Sequence, residues 1–346
     1  MPDLLFVPSG TVLSASSRYR VYQYLEPLRR RGFRSRLLRY PDTPSPIRRL
    51  AYFARLACIA PRVDVVVVQK RLFPRFLPML RRLNPRIVYD FDDALFARSS
   101  AARQAGVGHR PSGDGAQLLD MTLRLARHIV AGNEYLAAYA RRLNPNVTVI
   151  PTVVDLSRYP PRPIPPQQAE RPVTLGWVGN SENLIYLQDL VPVFLRLVDR
   201  LGGGFRLHVI SDRRPAMPEA IPLHFQPWRL ESEVEDLYAF DVGLMPLRDN
   251  EWTRGKCAFK AIQYMALGIP TVASPVGANV DLIEHRVNGL LAAGEEEWVE
   301  SLISLIQDGQ LRRRLGMAGR RTVVERYSLD VALPKLICVL REVMAS

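Results

Sequence analysis

Short apolar runs alternate along the chain with longer stretches whose apolar positions recur every three to four residues. That rhythm is the signature of βα units wound around a mostly parallel sheet. In the first half, Leu4–Val7, Val63–Gln69, Arg86–Asp90, His128–Ala131 and Val147–Ile150 read as strands, and the unbroken Val65-Val66-Val67-Val68 suits a strand covered on both faces. Between them Arg18–Arg31, Pro46–Ala60, Leu72–Leu83 and Glu134–Arg142 have helical spacing, with Gly32 placed to end the first. Pro160, Pro161, Pro163, Pro165, Pro166 and Pro172 then crowd one segment, where missing amide donors and a restricted φ oppose regular structure.

Beyond this segment the rhythm resumes, with Val173–Val178, Arg206–Ile210, Leu223–Phe225, Val242–Pro246, Thr271–Ala273 and Gly289–Leu291 as strands and Asn183–Leu201 as one helix. An amphipathic helix, Leu329–Met344, closes the chain, with Ser328 available as its N-cap. The pattern therefore predicts two doubly wound α/β domains in tandem: residues 1–160, a Pro-rich linker 161–172, residues 173–327, and a final helix in 328–346.

With 346 residues, 47% hydrophobic and 23% charged, the chain is long enough for two domains and too apolar for disorder. Its net charge of +13 calls for an anionic partner, and that charge is unevenly placed. Up to residue 165 there are 27 basic and 11 acidic residues; after it, 20 basic and 23 acidic. Cys58, Cys257 and Cys338 lie far apart without metal-ligand spacing, so neither a disulfide framework nor a metal site is expected. Met1-Pro2-Asp3 lacks a charged leader and no run approaches the ~20 apolar residues of a membrane span. The expected location is the cytoplasm, with peripheral attachment to a membrane.

In open α/β sheets, ligands gather at the carboxyl ends of strands, where loops and helix N-termini present amide donors. Three loops qualify. Gly10, Ser17 and Arg18 belong to a small-residue loop after the first strand, which suits a phosphate, an acceptor pocket, or a flexible connection with solvated arginines. Asp90, Asp92 and Asp93 follow the Arg86–Asp90 run; three carboxylates in four residues repel one another unless a cation, a sugar hydroxyl or a backbone nest takes up the charge, and one of them could cap a helix. Asp92 and Asp93 are the candidate catalytic pair, for hydroxyl binding or general-base work. In the second half, Gly179, Asn180 and Ser181 follow a strand, and the glycine would let backbone amides approach a diphosphate.

The strongest signal runs from Asp241 to Gly277, a strand, a polar loop, a helix, a Gly-Pro turn and a strand. Lys256 and Lys260, four apart, would share a helix face and converge on one anion, with Arg254 just before them. The chain has 43 Arg and only four Lys, so two lysines at one helix start suggest a requirement for a compact ammonium. His128 and His208 read as core histidines. Trp228 suits either a stacked nucleobase or a loop anchor, and His109 sits in the polar loop Ala101–Gly115, read as mobile and ordered by substrate.

At this segment the chain resembles the GT-B glycosyltransferases, specifically the family 4 nucleotide-sugar transferases. The resemblance rests on "DVGLMPL", "FKAIQYMALGIPTVASPVG", "VNGLL" and "ARHIVAGNEYLAAYARRLNPNVTVIPTVVDLSRY". It implies two Rossmann-like domains facing across a cleft, with the donor on the second, the acceptor on the first and the final helix packed back on the first. The implied activity is transfer of a sugar, with retention and without a metal, from a nucleotide-diphosphate donor to a cell-surface glycan or lipid-linked acceptor; no cofactor is implied beyond that donor substrate. The family's Glu-x7-Glu motif falls on Gly255 and Gln263, so both carboxylates are missing. Gln263 can still bond ribose hydroxyls, and sugar contacts would move to Asn250, Glu251 or Thr253. The family's diphosphate-binding Arg and Lys are also absent from Gly179-Asn180-Ser181, and Lys256, Lys260 and Arg254 are expected to replace them.

A non-catalytic GT-B protein that binds glycan or nucleotide is the alternative. A nucleic-acid-binding protein would explain the charge, but no recognition motif supports it, so nucleic acid is not an expected partner. The basic first domain instead implies an anionic membrane surface, through Arg29, Arg30, Arg31 and Arg34.

Overall fold

A computed structural model describes residues 1–41, 45–73, 76–97, 114–162 and 171–345. Two six-stranded, wholly parallel sheets organise the chain. The first has the order β2-β1-β3-β4-β5-β6, from β1 (Asp3–Val7), β2 (Arg34–Leu37), β3 (Val65–Gln69), β4 (Ile87–Phe91), β5 (His128–Ala131) and β6 (Val147–Val149). The second has the order β12-β11-β10-β7-β8-β9, from β7 (Val173–Val178), β8 (Phe205–Ser211), β9 (Leu223–Pro227), β10 (Val242–Met245), β11 (Thr271–Ala273) and β12 (Leu290–Leu291). Strand order reverses between β1 and β3 in one sheet and between β7 and β10 in the other, so the loops after these four strands open the crevices where α/β proteins hold ligands.

Alternation along β1 builds the layers of the first lobe: Leu4 and Phe6 face helix Gln23–Arg30 and the last helix, whereas Leu5 and Val7 face helices Pro46–Ile59 and Leu77–Leu83. The last helix, Leu329–Ala345, packs against helix Gln23–Arg30 and against β3 and β4, returning the chain to the first lobe. The return is fixed where Val154 bridges Ser328: Val154 N donates to Tyr327 O and Leu329 N to Val154 O.

Some local expectations are corrected. β2 and helix Asp114–Leu125 had no clear sequence signal; β2 is a polar edge strand, with Arg34 and Arg36 exposed. The expected helix Asn183–Leu201 is broken at Asp189-Leu190 into Leu184–Gln188 and Val191–Leu201, with Pro192 in the first turn of the second piece. Ser328 does not use its hydroxyl as a cap: Oγ donates backwards to Val324 O. Of the Pro-rich linker, 163–170 lies outside the described residues, as does His109; the flanking Arg162 and Arg171 both clamp Asp241 of the second lobe.

Candidate functional site in the cleft between the lobes

The loop after β1 is held from beneath. Ser17, fully buried, accepts from Gly10 N at 2.9 Å and donates to Gln69 Oε1 at 3.0 Å. Gln69 Nε2 donates to Ser16 Oγ, which donates to Asp92 Oδ1 at 2.8 Å, linking the loop to the acidic cluster. The arginines here are not solvated. Arg20 makes two 2.6 Å bonds to Asp90 in the core; burial raises the Asp90 carboxyl, and the Arg20 guanidinium opposes that shift. Arg18 reaches across the cleft to Glu233 at 2.6 Å, with both side chains almost wholly buried.

Around that pair a polar chain joins the lobes. Tyr19 OH donates to Glu233 Oε2 at 2.8 Å and lies 2.6 Å from Tyr159 OH, which accepts from Gln263 Nε2 at 2.8 Å. Gln263 is therefore buried and already bonded. Trp228 lies beside Arg18, whose guanidinium carbon is 5.5 Å from the indole centroid. Burial, reinforced by Glu233, pushes the Tyr19 phenol up to about 12, so it remains a donor.

The three carboxylates are resolved by cations, one of the outcomes that repulsion leaves open. Arg20 takes Asp90; Lys70 pairs closely with Asp93 and lies 3.6 Å from Asp92. Burial pushes the Asp92 carboxyl up, but Lys70, Arg20 and the Ser16 hydroxyl outweigh it and hold it below the usual range. Asp92 is therefore an anion that can only accept hydrogen bonds. Among the described residues, no helix follows directly for this cluster to cap. Lys70 itself stands at φ +60°, a left-handed conformation uncommon for a residue with a Cβ.

Lys256 and Lys260 do meet at the cleft, though not on one helix. Ala258, at φ +53°, ends the preceding loop, and the helix starts at Phe259 with no side chain capping its first amides. Burial lowers the Lys256 ammonium, and burial together with the charge on Lys256 lowers Lys260 to about 7. Asp93 opposes both shifts, and Lys70 adds to the repulsion at Lys256. Three of the chain's four lysines thus share one electrostatic neighbourhood. Lys70 escaped sequence reasoning, although its place after a valine-rich strand in an arginine-dominated chain carried the same signal.

Other candidates are placed differently. Arg254 is exposed and tied to Asp249 by bonds of 2.6 and 2.9 Å, on a separate helical turn, Glu251–Arg254. Asn250 and Thr253 close a capping box on each other, so their polar groups are engaged. Two of the three amides after β7 are engaged within the lobe: Gly179 N donates to Ile210 O, and Ser181 N and Oγ both bind Asp212. Asn180 is exposed and accepts from Asn183 Nδ2. Gly179 serves by its size, since a Cβ there would lie 2.8 Å from Lys260 Cε and 2.7 Å from the Trp177 ring.

The same logic explains Gly255. A Cβ at this position would stand 2.6 Å from Ala94 Cβ and 2.7 Å from Ala94 N in the opposite lobe. Close approach continues alongside, where Asn133 Nδ2 donates to Lys256 O at 3.1 Å and the Cys257 thiol contacts Asp92 O at 3.4 Å. No glutamate fits at 255 with the lobes so placed.

Residues 172–308 match the family model described as Glycosyl transferases group 1. No curated protein matches the chain by sequence. Among solved structures, sucrose-phosphate synthase from Thermosynechococcus elongatus aligns with TM-score 0.74 and 15% identity over 100% of both chains. A glycosyltransferase from Rickettsia africae aligns with TM-score 0.74 and 13% identity, over 99% of this chain and 98% of its own. HepE from Anabaena, in complex with UDP and glucose, gives TM-score 0.69 and 14% identity over 99% and 100%. With its two parallel sheets and returning last helix, the chain has the GT-B fold, and residues 172–308 of its second lobe are similar to the group 1 glycosyl transferases.

Proposed function

We propose that the protein transfers a sugar, with retention, from a nucleotide-diphosphate donor to a cell-surface glycan or lipid-linked acceptor. The observation that carries this reading is the convergence of Lys70, Lys256 and Lys260 on one cleft beside Gly179 and the Asp92–Asp93 pair. A leaving diphosphate gathers negative charge as the glycosidic bond breaks, and ammonium groups fixed at that point stabilise the charge without reorganising. Lys256 and Lys260 take the diphosphate in this scheme, so the reaction runs without a metal. Asp92, kept ionised, accepts a hydrogen bond from an acceptor or sugar hydroxyl, and Asp93 stands beside it.

UDP-glucose is the first donor to try, because HepE was determined with UDP and glucose. A thermal-shift panel of nucleotide sugars tests the reading, since a ligand that binds the folded form raises Tm with the logarithm of its concentration once that exceeds Kd. Lys256→Ala and Lys260→Ala should each abolish most of that shift; unchanged affinity in both would overturn the assignment. A second reading, a GT-B protein that binds without turnover, is favoured by Gly255 and by a Gln263 already spent on Tyr159. Transfer or donor hydrolysis by the purified protein would remove it.

A further inference from the structure

On the face of the first sheet opposite the last helix, helices Pro46–Ile59 and Leu77–Leu83 together with residues 71–73 line an open cavity of about 650 Å³. That is the size of a small-ligand site, which spans about 300–1,000 Å³. Its wall is aromatic: Tyr40, Phe53, Phe73 and Phe76 pack edge to face or tilted, with Phe53 4.7 Å from Phe76 and 5.7 Å from Phe73 between centroids. The cavity is not a sealed packing void, because Leu50 and Met79 line it and yet are 72% and 42% exposed. An apolar guest seated here would take the aromatic and aliphatic wall out of water, which is favourable in proportion to the area covered.

Charge indicates which guest. Arg71 is the single charged residue among the described lining; its guanidinium lies 4.1 Å from the Tyr40 centroid, and Nη2 donates to Ser9 O at 2.8 Å. The residue before it is Lys70, which pairs with Asp93, so cavity and cleft share one stretch of chain. Outside, helix Pro46–Ile59 exposes Ile47 and Leu50 together with Arg48, Arg49 and Arg55. An apolar stripe among arginines on a helix too short to span a bilayer suits the headgroup boundary of an anionic membrane. By contrast, Arg29 and Arg30 lie on the other side of the sheet, and both are paired with Glu26.

We infer that this cavity binds the hydrocarbon tail of a phosphate-linked lipid acceptor, with helix Pro46–Ile59 seated in the membrane interface and the head group passing Arg71 toward Asp92 and Asp93. The inference rests on the glycosyltransferase reading for its acceptor, but the binding site can be tested without turnover. Titration of the full chain with farnesyl phosphate in a calorimeter should give saturable binding that excess inorganic phosphate does not displace. Ala57→Trp, and independently Ala54→Trp, would fill space equivalent to at least two buried methylenes and should weaken farnesyl phosphate by about tenfold or more. Neither variant should change the Tm shift produced by a nucleotide sugar. Leu50→Asp should also lower co-sedimentation with vesicles containing phosphatidylglycerol, more than neutralising Arg29, Arg30, Arg31 and Arg34 together. Undiminished farnesyl phosphate binding in both tryptophan variants, or its displacement by inorganic phosphate, would overturn the site. Loss of every nucleotide-sugar shift in the unaltered protein, with lipid binding intact, would instead sink the transferase reading alone.

Discussion

Glu233→Gln tests whether the two lobes are held together by a buried charge. In the folded chain Arg18 and Glu233 meet at 2.6 Å with 3% and 5% of their side chains exposed, and Arg18 Nη1 also donates to Val12 O at 2.6 Å. Removing one partner of such a pair leaves the other charged, desolvated and unpaired, at a cost of about 3–5 kcal/mol. Tyr19 keeps an acceptor in the amide, so the loss is chiefly the unpaired guanidinium. Because the pair crosses between lobes, the molecule has an escape: opening the cleft returns Arg18 to water, and the penalty is then limited to the free energy of opening. The expected result is a lower urea midpoint, a drop in unfolding free energy of up to about 3–5 kcal/mol, and a larger radius of gyration by small-angle scattering. Arg18→Met combined with Glu233→Gln removes both charges and should recover most of the loss. An unchanged midpoint and radius in the single variant, or a double variant no better than the single, would refute the reasoning.

Titration of Lys260 supplies another test. Burial and Lys256 lower its folded value to about 7 against an ordinary 10.5, so between those values the unfolded chain holds a proton that the folded chain lacks. Stability contributed at this site therefore rises with pH through that window, and below it the folded state carries the cost of a buried ammonium. A diphosphate favours the charged form, so binding measured about one pH unit above 7 should take up a proton, seen as a dependence of calorimetric heat on buffer ionisation. Lys260→Met should abolish the dependence, and its absence in the unaltered protein would count against the site. At Gly255, even Ala should separate the lobes or cost about 1–3 kcal/mol by overpacking, whereas Gly203→Ala, where a Cβ meets nothing within 4 Å, should be near neutral. Equal effects at the two positions would show that the lobes do not meet at Ala94 in solution.

The fold was largely legible because its signal is local. β5, β7 and β11 match their apolar runs residue for residue, since a strand covered on both faces leaves little room for polar residues. β2 was hidden because an edge strand reading Arg-Ser-Arg-Leu has no buried face to enforce a pattern. Half of the site was equally readable. Lys256 and Lys260 stood out by residue type and position, whereas their partners did not: Lys70 lies on another lobe, and Arg18 finds Glu233 across 215 positions of sequence.

What the sequence by itself determined is the repeated βα unit, the excess of positive charge and the loops that end at strand termini, all of which follow from periodicity and composition over a few residues. Only the tertiary structure decided which charges are available. It buried Arg18 and Arg20 against carboxylates, gave the acidic cluster to Lys70, and spent the hydroxyl of Ser17, the amide of Gly179 and the side chain of Gln263 on internal bonds. It left Lys256 and Lys260 half-buried beside one another at the cleft. A charge's worth depends on its distance from other charges and from water, and both distances are set by how the two sheets come together.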